Sequence, residues 1–168
     1  MWKINAQAMI LGVFTFISSC STYGADHASL VAARQFYDQP VNEQIRTFRQ
    51  RSLEEQLNLF FFGNQIHHPP AIYLAPCFAL NGPPAVQLIR SKLSTELDDL
   101  SVRDIAVLLG MIDMMGQYDV EGDKQLVALL SSRIAKMKDQ AWQQTAEDEV
   151  SSFGRRRTEA AKHAPECG

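Results

Sequence analysis

From Ala28 to about Val150 apolar residues recur every three or four positions, in runs that prolines and glycines keep cutting. A period of 3.6 gathers such residues on one face of a helix, whereas a half-buried strand needs strict alternation. No alternating run stands out, so the sequence predicts an all-α chain. The breakers then mark off its helices. Leu30, Val31, Ala33 and Phe36 fit a helix over Ala28 to Asp38 that Pro40 ends, and Val41, Ile45 and Phe48 outline a second. Ser52 stands three residues before Glu55, the spacing of a capping box, in which each side chain satisfies an orphan backbone N–H. The helix it opens, Leu53 to Ile66, carries Leu57, Leu59, Phe60, Phe61, Phe62 and Ile66. It is apolar nearly all round and is expected to be central.

His67-His68-Pro69-Pro70 interrupts that run, and Pro70 suits the first turn of a following helix with Ile72, Leu74, Phe78 and Leu80. Pro76 is expected to kink it, and Asn81-Gly82 to cap its C-terminus. Pro83-Pro84 restarts the chain, and Val86, Ile89, Leu93 and Leu97 share the next face. After a break at Asp98-Asp99, Ser101 with Asp104 is the expected N-cap of a helix burying Val102, Ile105, Leu108, Leu109, Ile112 and Met115. Asp123 should cap a last helix through Leu126, Leu130, Ile134, Met137 and Trp142. Leu57, Phe61, Ile105, Leu109 and Leu130 are the predicted core. Helix starts near Leu53 and Pro84, and again near Pro70 and Ser101, lie about thirty residues apart, close to the period of helical repeats. On that spacing and its breakers, Ser52 to Met115 loosely resembles HEAT-type helix pairs, which implies a short stack of pairs. Few side chains repeat in register, so an irregular helical bundle stays equally open.

The N-terminus carries a different signal. Lys3 precedes the apolar run Ala8 to Ile17. That run is far short of the ~20 residues that span a bilayer, but it suits the core of a secretory signal. It ends in Ile17-Ser18-Ser19-Cys20, which resembles the lipobox of bacterial lipoproteins. The resemblance implies cleavage before Cys20, a diacylglycerol on its sulfur, palmitate among its acyl chains, and a membrane-anchored protein facing the periplasm. Ser21 in place of aspartate implies outer-membrane sorting in a Gram-negative host. Residues 1–19 would be the signal peptide, 20–27 a tether, 28–150 the helical domain and 151–168 a polar, disordered tail. Ordinary cleavage after Thr22-Tyr23-Gly24, giving a soluble periplasmic or secreted protein, stays open, as does an uncleaved interfacial helix.

Cys20 is lipidated in one reading and removed in another. Cys77 and Cys167 are left, in a compartment where disulfides persist. Spacing alone does not decide whether they pair. His67, His68 and Cys77 are zinc-ligand types, but adjacent histidines rarely aim at one ion and no further cysteine or carboxylate completes a set. The carboxylates of Asp119 to Asp123 depart from the EF-hand pattern, which needs a glutamate about six positions past the glycine, where Ala128 stands. They read as a turn and a cap. Glycine-rich phosphate loops, paired catalytic carboxylates and nucleophile elbows are absent from the sequence. No catalytic residue, metal or cofactor is assigned. A net charge of -3, with basic residues scattered apart from Arg155-Arg156-Arg157, argues against a nucleic-acid partner. The expectation is a non-catalytic protein-interaction module of the cell envelope, binding another envelope protein, with an immunity or inhibitor protein as one concrete form. The alternative is a small-molecule or lipid carrier, with a pocket between helices lined by the phenylalanines.

Overall fold

The computed structural model describes residues 22–95, 97–155 and 167, with side chains from Leu30 onward. Among the described residues there are eight α-helices and no strand. They are α1 (Thr22–Tyr37), α2 (Val41–Arg49), α3 (Leu53–Gln65), α4 (Ala75–Ala79), α5 (Pro83–Leu93), α6 (Asp99–Met114), α7 (Lys124–Ile134) and α8 (Gln140–Ser151). The chain is all-α. No single helix among the described residues is long and apolar enough to cross a membrane.

Most ends are set by local chemistry. Ser52 and Glu55 form the full capping box of α3, the Ser52 side chain accepting from the Glu55 N–H and the Glu55 carboxylate accepting from the Ser52 N–H. Asp123 caps α7 by accepting the Leu126 N–H at 3.0 Å. Gly82, at φ 55°, turns the chain between α4 and α5 in a conformation that side chains resist.

Several boundaries differ from expectation for identifiable reasons. Helix α1 begins at Thr22, so residues 22–27, expected as a tether, are helical. The segment after Pro70 is a 3-10 turn, Ile72–Leu74, followed by α4, and Pro76 lies in the first turn of α4. A missing N–H costs nothing there, so Pro76 opens a helix rather than kinking one. Helix α6 is capped by Asp98, which accepts the Ser101 N–H at 2.9 Å, while Ser101 and Asp104 lie inside the helix. The expected last helix is two: the chain turns after Ile134 and restarts at α8, where Asp139 accepts the N–H groups of Ala141 and Trp142. Ser152 and Phe153, which fall within the polar tail expected from residue 151, are buried.

The centre of the molecule is α6, which packs against α3, α4, α5, α7 and α8. Units of a repeat stack touch only their neighbours. A hub of this kind makes the irregular bundle the better description. Helix α3, the expected centre, instead buries one face (Leu57, Leu59, Phe60, Gly63 and Asn64) and leaves Glu54, Glu55 and Asn58 exposed. Gly63 is required by close approach, since a Cβ there would collide with the Tyr37 hydroxyl and Ala71. Leu57, Ile105, Leu109 and Leu130 are fully buried. Phe61 is only half-buried: Leu57 and Phe60 take the inward face of α3, and Phe61, one step on, turns toward its flank.

Truncating Leu109 to alanine should cost about 2–5 kcal/mol, the usual range for a buried leucine. Urea unfolding followed by circular dichroism measures it, and an unchanged midpoint would contradict this placement of α6.

Candidate functional site

A chain of contacts beginning at the start of α6 sets up the most distinctive site. The Asp99 carboxylate accepts the backbone N–H groups of Lys138 and Asp139 at 2.7 and 2.8 Å. That anchors the turn before α8 to α6. Asp139 in turn caps α8 through the N–H groups of Ala141 and Trp142 at 2.9 and 3.0 Å. The Trp142 ring is thereby held against α6, with the Arg103 guanidinium carbon 4.4 Å from its centroid. Such a cation–π contact contributes roughly 0.5–2 kcal/mol, more as it is desolvated.

Arg103 donates from Nε and Nη2 to one oxygen of Asp104, at 3.0 and 2.5 Å. The other Asp104 oxygen accepts from Gln65 Nε2 at 3.2 Å. Asp104 is only 1% exposed, and a carboxylate that deep is tolerated because it is paired and hydrogen-bonded. Burial pushes its pKa up. The hydrogen bond and charge of Arg103, then Gln65 and Asn64, pull it down without offsetting burial.

These residues floor a groove of about 220 Å³ between α3, α6 and α8, walled by Pro70, Ile72, Val107, Trp142 and Thr145. At its rim Ile72 and Trp142 are 54% and 36% exposed. At its base Asn64 is 8% exposed, and its side-chain oxygen finds no hydrogen-bond partner in the protein. Convergent buried polar groups beneath an exposed aromatic are the usual marks of a binding site. The volume falls below the ~300 Å³ typical of the smallest ligand pockets, and suits one anchoring side chain.

A second groove of about 270 Å³ lies between α1 and α3 and is mainly apolar, with Leu30, Ala33, Leu59 and Phe62 among its walls. Of the phenylalanines expected to line a pocket, Phe60 is buried in the core, and Phe62 is among the walls of this groove. Tyr37 stacks on both Phe62 and His67, which turns His67 toward the aromatic cluster beside α1.

The residues singled out from sequence fall elsewhere. Cys20, with the lipobox and the signal, lies outside the described residues, as do Arg156 and Arg157. Cys77, in α4, is joined to Cys167 by a disulfide with a Cα–Cα distance of 5.4 Å. The bond closes a 90-residue separation; loops of that order are stabilised by about 4–5 kcal/mol in the chain-entropy account. Its sulfur is therefore committed, and among the described residues no three of His, Cys, Asp and Glu gather to hold a metal ion. In the Asp119 to Asp123 loop, Asp119 accepts the Gly122 N–H at 3.0 Å, and Asp123, besides capping α7, accepts from Arg90 at 2.5 Å and the Tyr118 hydroxyl at 2.6 Å. That loop is a turn and a cap.

The groove itself was not read from sequence. Its one local sign was a carboxylate, Asp104, spaced three and four residues from the inward-facing Ser101 and Leu108, hence on the buried face of an apolar helix.

Because the folded pKa of Asp104 is raised, its contribution to stability is fully present below the ordinary aspartate pKa and is lost as pH rises through the folded value. A carbon-detected NMR titration should place its midpoint above that of an ordinary aspartate. Arg103→Ala, by removing the main opposing influence, should move the midpoint higher still. A wild-type midpoint at or below the ordinary value would refute this account of the site. No family model matches the chain, and neither a curated protein nor a solved structure does so.

Proposed function

We propose that the chain is an exported cell-envelope protein that acts as a non-catalytic protein-interaction module, its contact face centred on Trp142, Arg103 and Ile72. The observation that carries this reading is the Trp142–Arg103–Asp104 stack beside the groove. Tryptophan and arginine are the residues most enriched where a few side chains carry most of a binding energy. Here both are held in place before any partner arrives, Arg103 by a buried carboxylate and Trp142 by the Asp139 cap. Preorganisation of this kind removes part of the ordering cost of association. Binding an envelope enzyme and blocking it, as an immunity or inhibitor protein does, is the concrete form that a preorganised tryptophan–arginine face supports.

Location rests on the N-terminal sequence. The lipobox resemblance at Ile17 to Cys20 supports export and a lipid on Cys20, with several acyl chains holding the domain durably at the membrane. The apolar groove beside Phe62 favours one other reading, a carrier of a small apolar molecule. A native mass spectrum separates the two: a bound polypeptide supports the interaction module, and a small co-purifying ligand the carrier.

Two experiments test the proposal. Wild-type protein used as bait in an envelope extract should retain a partner that Trp142→Ala loses at least tenfold, with helix content unchanged. Undiminished capture by Trp142→Ala would remove this face from the proposal. Separately, Cys20→Ser should leave the membrane fraction and cease to incorporate labelled palmitate. A wild-type protein that is itself soluble, with a mature N-terminus at or beyond Ser21, would replace the lipoprotein with a soluble exported one.

A further inference from the structure

We infer that a groove where α6 begins and α7 ends binds an acidic segment of the partner, whose glutamate or aspartate carboxylates meet Arg133, Lys136 and Lys138. The inference deepens the interaction reading above and rests on it for the source of those carboxylates.

The three cations line an open groove of about 540 Å³ together with Asp98 and Asp99. By formal charge the two carboxylates offset most of the three cations, but their hydrogen bonds point them elsewhere. One Asp98 oxygen accepts the Ser101 N–H and the other the Ser101 hydroxyl, both at 2.9 Å. Asp99 accepts the N–H groups of Lys138 and Asp139. Each of those donors sets the positive end of a dipole against the carboxylate and lowers its pull on a cation. Among the described residues the ion pairs are Arg46–Glu43, Arg51–Glu55, Arg90–Asp123, Lys92–Glu54 and Arg103–Asp104. Arg103 thus has its carboxylate within the fold. Arg133, Lys136 and Lys138 have none of their own, in a chain whose net charge is -3.

Arg133 is the fixed member of the three. Its Nε donates to the Leu93 carbonyl at 2.7 Å, and among the described residues no partner engages its terminal nitrogens. A guanidinium held in this way takes a carboxylate in a set plane, while the exposed lysines add mobile point charges beside it. Leu97, Val102 and Met137 give the groove apolar surface for side-chain methylenes. A single small anion would call for cations that converge on one spot. Here they are spread from residue 133 to 138 along a groove of about 540 Å³, against 220 Å³ beside Trp142, which suits a segment with several carboxylates.

The groove also borders the proposed contact face. Asp99 and Arg103 are one turn apart on α6, and the Asp99 bonds to Lys138 and Asp139 set both a wall of the groove and the start of α8, which carries Trp142.

The test titrates ¹⁵N-labelled mature protein, in non-ionic detergent, with capped triglutamate, capped triglutamine, inorganic phosphate and dihexanoyl phosphatidylglycerol. Triglutamate should give saturable shifts at the Arg133 Nε–H and at the backbone amides of Lys136 to Lys138. Its binding should be at least tenfold tighter than that of the other probes and should weaken as salt screens the exposed charges. Lys136→Gln combined with Lys138→Gln should reduce it at least fivefold, while Lys136→Arg combined with Lys138→Arg retains it. Equal responses to the two peptides, no saturable shift, or binding indifferent to the glutamine pair would overturn the inference. Tighter binding of phosphate or of the phospholipid would overturn it as well, by giving the cations to a small anion or to a membrane. Triglutamate binding without any Trp142-dependent capture of an envelope protein would uphold the groove's chemistry and sink the interaction reading. Trp142-dependent capture that the glutamine pair leaves undiminished would do the reverse.

Discussion

Burying α6 obliges the rest of the chain to satisfy two carboxylates that the helix takes inside with it, Asp104 and Asp113, each 1% exposed. Neither can be left unpaired without a cost comparable to a large part of a small domain's stability. Asp113 meets the demand with backbone: it accepts the Val120 N–H at 3.0 Å and the Gly154 N–H at 2.6 Å. That ties the end of α6 to the loop before α7 and to the turn after α8. Asp104 meets it with side chains, Arg103, Gln65 and Asn64. The first carboxylate closes the fold and the second opens a site.

The difference between these solutions has functional weight. The Val120 and Gly154 N–H groups that Asp113 accepts are held by the chain itself. Around Asp104 the partners are side chains on the edge of a groove, and one of them, Arg103, reaches out to the Trp142 ring. A buried charge thus fixes the direction of a surface residue. Through Asp99 and Asp139 the same end of α6 also sets where α8 begins, and so where Trp142 stands. The face proposed for recognition is in this sense a consequence of how the hub helix is satisfied.

Much of the local structure was legible residue by residue. The Ser52–Glu55 box, the Asp123 cap and the Gly82 turn depend on groups within three or four positions of one another, and sequence reads such groups well. The misreadings have one physical origin. Pattern ran straight from Asp123 to Trp142 because Leu126, Leu130, Ile134 and Met137 keep helical spacing across the turn at 135–139. What stabilises that turn is Asp99, about forty residues away in sequence. Phe153 looked like part of a tail because nothing near it in sequence is apolar enough to bury it, and its burial comes with the turn that Asp113 holds.

The sequence by itself determined the class of the fold, the positions of most helices and the greater part of the core, since 3.6-residue periodicity and capping are short-range properties. The lipobox resemblance at Ile17 to Cys20, on which the proposed export and lipidation rest, is likewise a linear feature. Tertiary structure alone decided that α6 and not α3 is the hub, that Cys77 meets Cys167 across 90 positions, and that Asn64, Arg103, Asp104 and Trp142 share one groove. Each of those depends on contacts between distant segments, whose selection rests on the total burial of apolar surface and the pairing of every buried polar group. No local window of residues contains that sum.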